Sequence, residues 1–205
     1  MAPLAGNHNV LFVSGISGSG KSYFVGSYLS TVQDFHPDTK IKIYSQLDGD
    51  SAYTNLNNAF KVDLSPENEL IYENEVSDLK TGDYCVFDDI DSIANEKLCK
   101  RIYELIKQMV NLGRHAGISV IFVNHTLKDF LRTKYILAEA THFVVFPNCN
   151  VKVKIIEFLR EQLGLSLKQA KELLSRDLKT RYFLFSKSNP LYYLTENEAG
   201  LLGDE

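Results

Sequence analysis

Gly15-Ile16-Ser17-Gly18-Ser19-Gly20-Lys21-Ser22 decides the reading of this chain. It fits G-x-x-x-x-G-K-[ST], a loop whose glycines let the backbone curl until successive N–H groups converge on phosphate oxygens. The flanking sequence supplies the context that the motif needs. Val10-Leu11-Phe12-Val13 is an apolar run that reads as a strand, and a helical pattern follows near Lys21–Gln33. A helix opening at Lys21 turns its positive N-terminal end toward a bound anion. Lys21 is placed to reach the β- and γ-phosphates, and the Ser22 hydroxyl to ligate Mg²⁺. The expected nucleotide contacts are Gly15, Ser17, Gly18, Ser19, Gly20, Lys21, Ser22 and Tyr23, with ATP as substrate and Mg²⁺ as cofactor.

A second motif follows at Tyr84-Cys85-Val86-Phe87-Asp88-Asp89, an apolar strand ending in two acids. In P-loop enzymes the first acid holds the Mg²⁺ shell and the second orients or deprotonates the attacking water. Asp88 is thus expected at the metal and Asp89 at the water. The assignment requires this strand to lie beside the strand that feeds the phosphate loop, because acids also close strands as simple turn formers. Asp91 is expected to cap or line the edge of the site.

Glu96–His115 has helical apolar spacing through Leu98, Ile102, Leu105, Ile106, Met109, Val110 and Leu112. Gly113-Arg114-His115-Ala116-Gly117 ends it, and Ile118–Val123 is a continuous apolar run, as in a strand buried on both faces. Arg114 can serve two purposes: a cation meeting the helix's last carbonyls, or a finger reaching a neighbour's γ-phosphate. Asn124-His125-Thr126 puts polar side chains at the end of that strand. They read as sensors of the γ-phosphate, His125 among them, and Asn124 and Thr126 read nearly as well as an N-cap for the helix from Leu127.

The rest of the chain alternates strand and helix. Ile41–Leu47 and Phe60–Leu64 read as strands, the polar Asp48–Ala59 between them as a loop or short helix, and Ser65-Pro66-Glu67-Asn68 as a helix start or turn. Leu127–Ala138 reads as a helix and His142–Phe146 as a strand. Helices are expected near Val151–Leu163 and Ser166–Leu178, with Gly164 between them and Ser166 as an N-cap. Arg181–Ser186 and Leu191–Leu194 read as a hairpin. Together with the phosphate loop this predicts an α/β fold of P-loop NTPase type, with a mainly parallel central sheet flanked by helices, then a C-terminal helical pair and β-hairpin. One domain over residues 1–205 is expected: a nucleotide-binding core over 8–147, with 148–205 packed on it.

Composition sets the outer limits. The chain has 205 residues, 44% hydrophobic and 23% charged, which excludes a disordered chain, a collagen-like fibre and a coiled-coil rod. Cys85, Cys99 and Cys149 form no C-x-x-C, so neither a zinc knuckle nor a disulfide framework is expected. Met1–Val10 lacks a signal peptide's basic head and apolar run, and no stretch approaches the roughly 18 apolar residues of a membrane span. The formal net charge of −4 hides an asymmetry. Residues 34–96 carry 4 Lys/Arg and 15 Asp/Glu, whereas residues 97–187 carry 17 and 7. A basic second half suits a polyanionic partner, and equally suits solvated helix faces.

These motifs in this order resemble the FtsK–HerA superfamily of DNA-pumping ATPases. Within it they resemble the short genome-packaging ATPases of double-stranded DNA viruses, including poxvirus-type and giant-virus-type enzymes. The likeness rests on Gly15–Ser22, Tyr84–Asp89, the stretch from Leu112 through Gly113-Arg114-His115-Ala116-Gly117 to Val123, and the tail from Phe143 to Glu198. It spans residues 8–200. The resemblance implies ATP-driven translocation of double-stranded DNA into a preformed capsid. It implies a homo-oligomeric ring, pentamer or hexamer, with Arg114 acting in trans, and a capsid vertex as partner. It places the chain in the host-cell cytoplasm at a virus assembly site, or in the virion, with no membrane span. Two departures stand out. The superfamily usually has Glu where this chain has Asp89, and Gln where it has His125.

Two other readings fit the same loop. One is a small-molecule or nucleotide kinase, with Arg176, Arg181 and nearby lysines as a lid over the phosphates. The other is a nucleotide-gated assembly protein without turnover. Phosphate release without an acceptor separates the motor from both.

Overall fold

The computed structural model describes residues 8–46, 51–62, 64, 78–127, 132–149, 152–176, 180–187 and 189–202. The turn expected at residues 65–68 lies outside them. The chain divides into two compact units: Gly20–Asn124 with the chain up to Val10, and Leu11–Ser19 with His125–Glu205.

The first unit is an α/β unit. Its strands are β2 (Ile41–Tyr44), β3 (Ala59–Val62), β4 (Tyr84–Asp88) and β5 (Ser119–Asn124). They run parallel in the order β3-β2-β4-β5, with Phe87 opposite Phe122 and Asp88 opposite Val123. All residues of β2, β4 and β5 are buried, which is why the cores of β4 and β5 read as apolar runs; in β2 the buried Lys42 interrupts the run and pairs with Asp78 at 2.7 Å. Helix α1 (Lys21–Phe35) follows the phosphate loop. Helix α2 (Glu96–Ala116) starts at Asn95, whose side chain accepts the Leu98 N–H at 3.1 Å. It buries Leu98, Ile102, Leu105, Ile106, Met109 and Val110, as the spacing predicts. Leu112 departs from the expected stripe. It is 63% exposed, at the margin of the stripe, where the buried Gly113 rather than Leu112 continues the core-facing side after Met109 and Val110.

The second unit contains β1 (Val10–Ser14), β6 (His142–Val145), β7 (Phe183–Ser186), β8 (Tyr192–Leu194) and β9 (Ala199–Leu201), in the order β1-β6-β7-β8-β9. β1 and β6 are parallel and the later pairs antiparallel. The expected hairpin is therefore present as β7–β8, and β9 extends it. Its helices are α3 (Lys134–Glu139), α4 (Lys152–Leu163) and α5 (Leu167–Ser175). α3 starts later than the expected Leu127, which lies in a bend with its side chain buried. The fold class is as expected: α/β, with mainly parallel strands flanked by helices.

Candidate active site

The phosphate loop leaves β1 and curls through two residues that an L side chain would strain. Gly18 has φ 75° and Gly20 φ 96°. Gly20 is the N-cap of α1, and no side chain caps the helix there. The Ser19 N–H donates to the Ile16 carbonyl at 3.2 Å, which closes the loop. The hydroxyls of Ser14 and Ser19 are buried with no hydrogen-bond partner among the described residues. Buried hydroxyls are seldom left so, and an acceptor-rich anion held in the loop would give the Ser19 hydroxyl a partner. Lys21 is buried, Ser22 half-buried, and Ser17 and Tyr23 exposed. These features fit a triphosphate.

α1 also carries Ser22 to the acidic strand end. The Ser22 hydroxyl donates to Asp88 Oδ2 at 3.1 Å. The partners of β4 are β2 and β5, so adjacency to the phosphate-loop strand, the condition set from sequence, is not what joins the two motifs. The first turn of α1 joins them. Asp88 is 3% exposed, and a hydroxyl and a carboxylate oxygen at this spacing are a hard-oxygen pair suited to Mg²⁺.

Tyr53 is the site residue that the sequence did not reveal. Its hydroxyl donates to the same Asp88 Oδ2 at 2.7 Å. It lies in a single 3₁₀ turn, Ser51–Tyr53, within the polar stretch read as a loop or short helix. Gly26 on α1 admits that turn: a Cβ there would collide with the Ala52 carbonyl. A lone tyrosine among Asn, Asp and Thr was the available signal, and it has no periodicity to mark it.

Asp89 follows in the left-handed region, at φ 55° and ψ 33°, and leads into the 3₁₀ turn Ile90–Ser92. Ser92 ties this turn back, its hydroxyl donating to the Asp89 carbonyl at 2.6 Å. Asp91 accepts the Tyr103 hydroxyl at 2.6 Å, which fastens the turn to α2. The left-handed conformation gives a local reason for Asp rather than Glu at 89, since short polar side chains tolerate it best. Cys85, inside β4, has its thiol pushed up to about 12 by burial, which makes it inert packing.

Arg114 stands exposed in the last turn of α2, and among the described residues no hydrogen bond or ion pair holds it. Asn124 is buried at the end of β5, and His125 is half-buried just after it. Arg176 and Arg181, the lid candidates of the kinase reading, are engaged within the C-terminal unit. Arg176 donates to the Tyr193 hydroxyl at 3.3 Å, and Arg181 pairs with Glu196 at 3.7 Å.

Fold and loop together define the class: a P-loop NTPase fold. Solved structures with this fold include the genome packaging NTPase B204 from Sulfolobus turreted icosahedral virus 2. Its sulfate complex has TM-score 0.60 and 14% identity, and the match covers 93% of this chain and 96% of that one. The cytoplasmic domain of the type VII secretion ATPase EccC from Thermomonospora curvata matches at TM-score 0.58 and 15% identity, over 93% of this chain and 25% of that one. No protein-family model matches the chain. The chain belongs to the family of the "Uncharacterized protein V3" of Sputnik virophage, to which it is 30% identical over 195 residues, covering 94% of this chain and 77% of V3.

Proposed function

We propose that this protein is an ATP-hydrolysing motor that moves double-stranded DNA into a preformed viral capsid. The observation that carries the reading is the Ser22–Asp88 contact, which unites the phosphate loop with the acidic strand end. The fold of B204, described as a genome packaging NTPase and solved with AMPPCP and ATP-γS, supports it.

In this reading the loop amides, Gly15 to Ser22, cradle the phosphates and Lys21 neutralises the β- and γ-oxygens. Tyr23, two residues beyond Lys21, contacts the nucleotide from the exposed side. Ser22 and Asp88 would hold Mg²⁺, which would supply electrostatic stabilisation of the charge that develops on the phosphates. Tyr53 fixes the Asp88 carboxylate for that task. Asp89 orients and deprotonates the attacking water, and His125 reports on the γ-phosphate. Arg114, exposed and without a hydrogen bond or ion pair among the described residues, acts on the nucleotide of a neighbouring subunit in a five- or six-membered ring. Such a finger contributes about 10³–10⁵ in rate, or about 4–7 kcal/mol of barrier.

The residues 148–205 act with the nucleotide-binding core as one motor subunit. The ring docks at a capsid vertex, at the assembly site in the host cytoplasm or in the virion. Among the described residues no helix is long and apolar enough to cross a membrane. The kinase reading is disfavoured by the engagement of Arg176 and Arg181 with Tyr193 and Glu196.

Phosphate release from ATP with no acceptor present tests the reading. Release that depends on Lys21 supports a hydrolase. Transfer to a nucleoside or sugar supports a kinase, and binding without release supports a nucleotide-gated scaffold.

A further inference from the structure

Helices α4 and α5 take no part in the nucleotide chemistry above. α4 is anchored to its unit's strands: Phe158 stacks on Phe12 at 6.3 Å, meets Phe143 edge-on at 5.1 Å, and Ile155 is fully buried beside it in sequence register. The joint to α5 is three residues long, Gly164-Leu165-Ser166. Gly164 has φ 69°, and its N–H donates to the Arg160 carbonyl at 3.1 Å. Leu165 is buried. Ser166 opens α5 with a capping box: its hydroxyl accepts the Gln169 N–H at 3.2 Å, and its own N–H donates to Gln169 Oε1 at 2.9 Å.

Burial follows the demands of such a joint. Leu159 and Leu163 on α4, Leu165 in the turn, and Ala170 and Leu173 on α5 are all buried, with Ala170 and Leu159 fully so. A small residue on α5 lets its backbone come down on α4. The two helices thus form a pair packed through these residues over a short glycine-containing turn, which leaves the polar side of α5 facing outward. The outward side of α5 carries Lys168 and Lys171, both exposed. Lys168 pairs with Glu172 at 3.9 Å, both largely solvated, a pair of little energetic weight that a phosphate can displace. Residues 152–176 carry six Lys/Arg against three Glu.

We propose that the outward face of α4–Gly164–α5 engages duplex DNA, with Lys168 and Lys171 on backbone phosphates. Lys152 and Lys154, exposed at the start of α4, contact the flanking backbone. Contacts of this kind grip a duplex without reading sequence, as transport of a whole genome requires. The proposal rests on the DNA-motor reading above and names the surface that it leaves open.

The test is fluorescence anisotropy with a random-sequence duplex of about 30 base pairs, between roughly 50 and 250 mM salt. The full chain is compared with Lys168→Glu/Lys171→Glu and with the milder Lys168→Gln/Lys171→Gln. DNA-free phosphate release reports on folding, because neither lysine lies in the nucleotide site. The expected result is at least about tenfold weaker duplex binding in the Glu pair, with less loss in the Gln pair. The log–log salt slope should fall by about 2, at ~0.9 per lost phosphate contact, with DNA-free turnover unchanged. Wild-type affinity and slope in both variants overturn the proposal while the motor reading stands. Unchanged duplex binding with lost self-association reassigns the face to a subunit contact and also overturns it. A wild-type chain that binds no duplex overturns the motor reading, and this proposal with it.

Discussion

The hydroxyls of Ser22 and Tyr53 converge on one oxygen, Asp88 Oδ2, at 3.1 and 2.7 Å. One donor comes from the phosphate loop's helix and the other from a turn 31 positions later. The acidic strand end is thus positioned from two sides before any ligand arrives. Tyr53→Phe should leave nucleotide binding intact and raise the Mg²⁺ concentration needed for half-maximal turnover. Loss of one buried hydrogen bond should also cost about 1–2 kcal/mol of stability, read by urea unfolding. An unchanged Mg²⁺ profile would make Tyr53 a packing residue.

Gly26 tests the same geometry without touching the site. Gly26→Ala places a methyl group against the Ala52 carbonyl and must displace the Tyr53 turn. Overpacking of this kind typically costs about 1–3 kcal/mol. Turnover should fall in parallel with Tyr53→Phe, and the double variant should be no worse than Gly26→Ala in its Mg²⁺ dependence.

Asp89 offers a clean separation of backbone from chemistry. Asn tolerates the left-handed region as Asp does, so Asp89→Asn should fold normally, bind ATP and lose hydrolysis by about 10²-fold or more. Asp89→Glu should lose stability as well, because the longer side chain sits less easily at φ 55°. Normal turnover in Asp89→Asn would remove this residue from the reaction.

Arg114→Ala should cut turnover by about 10³-fold. Mixing it with a hydrolysis-dead subunit that retains Arg114, such as Asp89→Asn, should restore part of the activity, since each supplies what the other lacks. No recovery across mixing ratios would argue for a role within the subunit.

His142 gives a pH signature. It is 3% exposed, with Nδ1 2.9 Å from the Thr141 hydroxyl and Nε2 3.1 Å from the Tyr192 hydroxyl, and burial lowers its pKa to about 4. The unfolded chain takes up a proton near pH 6.5 that the native state refuses. The stabilisation is therefore complete above about 6.5 and is lost as pH falls from there toward 4, up to about 3 kcal/mol in all. Unfolding free energies at pH 7.5, 6 and 5 should decline with a slope approaching one proton. His142→Asn should flatten that slope.

Local pattern carried much of this architecture. The glycines of the phosphate loop, the apolar run into Asp88 and the 3.6-residue stripe of α2 each announce their element within a few residues. Leu112 shows the limit of that stripe, since a single apolar residue at a helix end fits two faces. Tyr53 shows a deeper limit. Its contact with Asp88 spans 35 positions and depends on a missing side chain at Gly26, so no short window contains it. β9 was missed for another reason: Ala199-Gly200-Leu201 is short and largely exposed, and only pairing with β8 makes it a strand. The joint between α4 and α5 lay in plain view as Gly164 and Ser166, but the outward lysines acquire meaning only once Ala170 and Leu173 are seen to be buried.

The central claim is that cleavage of ATP is coupled to duplex DNA. Steady-state phosphate release by the wild-type chain in saturating ATP and Mg²⁺, with and without linear duplex DNA, tests it most directly. The account predicts severalfold stimulation by the duplex that disappears in Lys21→Ala. Turnover that is absent, or identical whether or not the polynucleotide is present, would contradict it.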